Sequence, residues 1–156
     1  MNTQALESDV VTLPPPGVVL QLSPELVERS WSNIEAALRP TEQWSQTFSI
    51  ANFRSDIAAN LTQLWGCMDF SGRRALAVTR LHKSARGLLC TVWVIAPQSD
   101  DRTICTLIDN VETFARMHEC VALEIIAHPW LSDRVSGKLT AAIIERDLRA
   151  PLSRTN

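Results

Sequence analysis

A chain of 156 residues with 46% hydrophobic and 21% charged side chains has the size of one domain and can bury a core without disulfides or a metal. Its formal net charge of −2 leaves no surplus of positive charge to neutralise a phosphate backbone, which argues against nucleic-acid binding as its main task. The start, MNTQALESD, lacks the basic-then-apolar pattern of a secretory signal, and the longest apolar stretch, Leu88 to Pro97, is about half the ~20 residues that span a bilayer.

No membrane partner is therefore expected, and the expected location is the cytoplasm or a particle assembled in it. Cys67, Cys90, Cys105 and Cys120 form no CxxC pair, and His82, His118 and His128 supply no metal spacing beside them. The four thiols read as buried structural residues, and no metal site is expected.

Residues 1–17 read as an N-terminal arm ending in Pro14-Pro15-Pro16-Gly17. Consecutive prolines favour an extended polyproline conformation and are excluded from helix interiors and central strands. The arm is either a flexible leader or a segment that lies along a partner, anchored by Val10, Val11 and Leu13. Residues 18–149 form one domain, and 150–156 a polar C-terminal tail.

A first helix starts at Ser23-Pro24-Glu25, where Ser23 can cap, Pro24 suits the first helical position and Glu25 complements the dipole. Leu26, Val27, Trp31, Ile34 and Leu38 share one face, and Pro40 is expected to end the helix. A second helix is expected over Ser49 to Thr62, with Ile50, Phe53, Ile57 and Leu61 facing inward. The period then shortens. Gln63 to Phe70 and Arg74 to His82 read as antiparallel strands joined by a tight turn at Ser71-Gly72.

Leu88 to Ala96 is almost continuously apolar, as befits a central strand covered on both faces. The next helix is capped by Asp100 or Asp101 and carries Ile104, Leu107, Ile108, Val111, Phe114 and Ala115 at helical spacing, ending near Glu119-Cys120. Val121 to Ala127 follows as a strand, so Leu88 to Ala127 has the strand–helix–strand length that a parallel crossover needs. A short helical turn over Trp130 to Val135 and a closing strand over Ala141 to Leu148 complete an α/β domain with a mixed sheet.

The order of these elements resembles the GNAT acyltransferase fold, and more narrowly the small GNAT-like proteins encoded by tailed bacteriophages. The resemblance runs from Ser23 to Leu148. It is carried by Gln63-Leu64-Trp65, Ala77-Val78-Thr79, Val111 to Ala115 followed by Glu119-Cys120, Pro129-Trp130-Leu131 and Ile144 to Leu148.

It implies a loop of the form Gln/Arg-x-x-Gly-x-Gly/Ala before the long helix, whose amides hold the diphosphate of acetyl-CoA, and a tyrosine that protonates the leaving thiolate. Here the loop reads Pro97-Gln98-Ser99-Asp100-Asp101-Arg102-Thr103, with no glycine and two carboxylates, and the chain has no tyrosine. The expectation is a non-catalytic protein of phage type, without a cofactor, acting through contacts with other proteins, such as phage structural proteins, in the particle, its assembly or the infected host.

The alternative is a divergent acetyl-CoA-dependent N-acetyltransferase. In that case Glu124 would be the base, His128 or Ser132 the acid, and Ile95, Ser99, Arg102 and Thr103 would meet the cofactor. Strand alternation offers a plainer account of Glu124, which shares a side with Ile126 opposite Leu123 and Ile125. Trp31, Trp65 and Trp93 fall on apolar faces and read as core, whereas Pro14, Pro15, Pro16, Trp44 and Trp130 are the expected partner contacts. Arg73, Arg74, Arg80, Lys83 and Arg86, with His82, are expected to make a basic edge that protects the sheet or meets an acidic partner or nucleic acid.

Overall fold

The computed structural model describes residues 15–45, 48–95 and 99–127. In chain order the elements are β1 (Leu20–Leu22), α1 (Pro24–Arg29), α2 (Trp31–Trp44), α3 (Ile50–Ala58), β2 (Thr62–Met68), β3 (Arg74–Ser84), β4 (Gly87–Ile95), α4 (Asp101–Met117) and β5 (Ala122–Ala127). The five strands lie in the order β1-β2-β3-β4-β5, antiparallel except for the parallel pair β4–β5. The mixed sheet, antiparallel meander and helical crossover match the expectation, while β1 is an addition. Its three residues, Leu-Gln-Leu, are too few for a period to show.

The sheet is covered on both faces, and strand alternation sorts its side chains between them. Trp65, Cys67, Ala75, Ala77, Cys90 and Val92 pack with Ile104, Leu107 and Val111 of α4. Leu64, Leu76 and Val78 pack with Val27 of α1, Leu38 of α2 and Phe53 of α3, and Trp93 lies against this second cluster. The central, doubly covered position of β4 is as expected. Leu123 and Ile125 join the α4 side, as alternation requires.

Four local readings need correction. The first helix breaks at Ser30, and α2 then runs through Pro40 to Trp44 instead of ending there. Buried Ile34, Leu38, Thr41 and Ser45 continue one inward stripe past the proline, whereas Pro40 and Ala36, whose carbonyl lacks the proline N–H, are both exposed. The lost bond therefore falls on the solvated side, and packing carries the helix onward.

The second helix stops at Ala58 because Asn60 turns left-handed (φ 56°) and the Leu61 amide donates back to the Asp56 carbonyl at 2.8 Å; Leu61 is left exposed. The basic residues do not form one edge. β3 is an interior strand, so Arg73 and Arg74 sit at one end of it and Lys83 and Arg86 at the other, roughly 30 Å away at the rise of an extended strand. Finally, Cys67 and Cys90 are buried and Cys120 half-buried, but Cys105 is exposed on α4.

Candidate functional site

The start of α4 is where the fold would present amides to an anion. Asp100 caps it: its Oδ1 accepts from the Thr103 amide at 2.7 Å, and its carbonyl accepts from the Ile104 amide at 3.1 Å. Asp101 occupies the first turn. The helix dipole supplies about half a positive charge. Set against two carboxylates and the exposed Arg102, that leaves about half a negative charge where a doubly charged diphosphate would need the opposite. Thr103 and Ser99 are buried, and the Ser99 hydroxyl has no hydrogen-bond partner among the described residues. The β4–β5 ladder is paired without a break from Leu89↔Ala122 to Val94↔Ala127, so no crevice opens between these strands over that length. The residues at this helix end do not fit an acyl-CoA.

The other sequence candidates scatter. Ile95 ends β4. Glu124 is exposed on β5 and accepts a hydrogen bond from Thr91 Oγ1 at 3.2 Å. Pro15 and Pro16 are exposed, with the Pro15 carbonyl accepting from the Val18 amide in a turn. Pro14, His128, Trp130, Ser132 and the Trp44 side chain lie outside the described residues, as do the expected helical turn and closing strand beyond Ala127.

Register brings together a polar row that strand-by-strand reading does not reveal. Thr62 lies opposite Arg80, Arg80 opposite Thr91, and Thr91 opposite Glu124, so one line of four polar residues crosses β2 to β5 on the α1–α3 side. Arg80 reaches Asp56 of α3 at 3.6 Å, an ion pair longer than a hydrogen bond, and Thr91 Oγ1 lies 3.5 Å from His82 Nδ1. The next row, Leu64, Val78, Trp93 and Ile126, is apolar.

Between these rows and α3 lies a cleft of about 290 Å³, lined by Phe53, Asn52, Asp56, Thr62, Arg80 and Trp93 among others. Its wall holds two buried polar atoms without partners among the described residues, Thr62 Oγ1 and Trp93 Nε1. Each unsatisfied group of this kind costs about 1–3 kcal/mol. The entry to α3 is fixed by Ser49 Oγ, which accepts from the Asn52 amide, and by Glu42 Oε1, which accepts from the Ile50 amide at 2.7 Å.

A buried acid, Asp69, was missed from the sequence. Asp69 Oδ1 accepts from the Ser71 amide (2.9 Å), the Ser71 hydroxyl (2.6 Å) and the Arg73 amide (2.8 Å), and Oδ2 faces Arg73 Nε at 3.2 Å. The Ser71 hydroxyl, first among these donors, holds its carboxyl below the usual carboxylate range. Asp-x-Ser-Gly between two strands was the available signal, since such aspartates bond the backbone two residues on. It is a structural acid in a hairpin. Among the described residues no cluster of His, Cys, Asp and Glu could hold a metal ion, and no helix is long and apolar enough to cross a membrane.

Comparison with known proteins gives the fold a context. No family model matches the sequence, and no curated protein matches it either. Solved structures do match in shape. One, described as a probable acetyltransferase, superposes with a TM-score of 0.56 at 9% identity, over 84% of this chain and 97% of the other. An integron cassette protein from the mobile metagenome of Cole Harbour Salt Marsh gives 0.55 at 15% identity, over 85% and 91%. A predicted acetyltransferase from Clostridium acetobutylicum, solved with acetyl-CoA, gives 0.51 at 8% identity, over 82% and 95%. The chain therefore has a GNAT-like fold.

Proposed function

We propose that this chain is a GNAT-fold protein that does not transfer acetyl groups and acts by contact with other proteins. The observation that carries the reading is the Asp100 cap, which spends the Thr103 amide on the chain's own carboxylate and, with Asp101, makes the helix end acidic. The glycine-free segment 97–103 and the lack of tyrosine in the sequence point the same way. A finer placement of those contacts, within a phage particle or its assembly, rests on the sequence resemblance alone.

A thermal-shift titration with acetyl-CoA tests the reading. A ligand that binds only the native state at 100 times its dissociation constant adds about 2.7 kcal/mol. For a chain of this size that raises Tm by roughly 5–11 °C. No shift is expected; a saturable one ends the proposal. The second reading, a divergent N-acetyltransferase, is favoured by one observation, that a protein of the same fold was solved with acetyl-CoA.

A further inference from the structure

We propose that the cleft between α3 and the sheet is a binding site for a small zwitterion of the α-amino-acid type. It lies on the face of the sheet opposite α4, and it is independent of the helix end considered above. Its two charges, Arg80 and Asp56, stand 3.6 Å apart with no hydrogen bond joining them, and their side chains are 49% and 24% exposed, so both can be reached from water. A guanidinium presents a planar fork of N–H donors that matches a carboxylate in two places. Asp56 beside it offers the complement for an ammonium group.

The pairing of signs selects the ligand. A simple anion would meet Asp56 as well as Arg80, and a simple amine would meet Arg80 as well as Asp56, so neither gains much from the pair. A molecule carrying both charges a few bonds apart satisfies both at once. The rest of the wall is mixed, with Phe48, Phe53 and Trp93 beside the polar Ser49, Asn52 and Ser55. At about 290 Å³ the space falls just below the range of about 300–1,000 Å³ typical of drug-sized ligands, and suits an amino acid better than a nucleotide.

Calorimetric titration of the full chain with L-phenylalanine, phenylacetate and phenethylamine tests this directly. Phenylalanine is expected to bind, and each single-charge analogue to bind at least about tenfold more weakly, the loss of one charge-assisted contact. Arg80→Gln and Asp56→Asn should each weaken phenylalanine by a similar factor. The comparison of the three probes on the unaltered protein stands even if a variant folds poorly. Absence of phenylalanine binding, or equal binding of all three probes, would overturn the assignment, as would undiminished binding to well-folded variants.

Discussion

Asp69 shows how much one buried side chain organises. Its Oδ1 accepts from two amides and a hydroxyl and its Oδ2 pairs with the Arg73 guanidinium, so the ionised form holds the β2–β3 turn more strongly than the neutral one. Because its folded pKa lies below the unfolded one, its contribution is present above the unfolded value of about 3.9 and disappears as pH falls through the folded value. Asp69→Asn should lower Tm at neutral pH by several degrees and flatten the acid limb of a stability-against-pH curve. An unchanged acid limb in thermal melts would show that the turn does not depend on the charge.

Asp100 acts on a helix rather than a turn. Asp100→Ala removes the bond to the Thr103 amide and should cost about 1 kcal/mol, whereas Asp100→Asn keeps a capping oxygen and should stay close to the parent. Urea unfolding of both variants separates the cap from the charge.

At the scale of elements, α4 and β4 were legible because their patterns are long and one-sided: six apolar positions at helical spacing, and a nearly unbroken apolar run. What escaped was decided by packing. The passage of α2 through Pro40 depends on Thr41 and Ser45 being drawn inward, and β1 depends on its pairing with β2.

Two backbone positions make this scale testable. Glu119 closes α4 in a left-handed conformation (φ 58°), with the Cys120 amide donating to the Ala115 carbonyl, a place that suits glycine. Glu119→Gly should stabilise the protein by about 1 kcal/mol. Gly87 opens β4 at φ 127°, and an added Cβ would lie 2.9 Å from Val121 Cγ1, beside the first β4–β5 hydrogen bond. Gly87→Ala should cost about 1–3 kcal/mol, chiefly through the backbone since Val121 is exposed and can yield. Urea midpoints moving in the opposite directions would contradict both assignments.

For the molecule as a whole, the layering of α1–α3 and α4 on a mixed sheet followed from element order, but the polar row did not. Thr62, Arg80, Thr91 and Glu124 are distant in sequence and meet only through strand register, which no local period encodes. The same holds for the dispersal of the basic residues, whose closeness in the chain hides the length of β3. The helix end was the most legible feature of the candidate site, because a cap is a local matter of one carboxylate and the amides that follow it.

The central claim is that this helix end rejects a pyrophosphate. Amide chemical shifts of uniformly ¹⁵N-labelled protein, followed while acetyl-CoA is added, test it at the atoms concerned. The account predicts that the Arg102, Thr103 and Ile104 resonances stay in place at millimolar cofactor. Saturable movement of those three signals would contradict it.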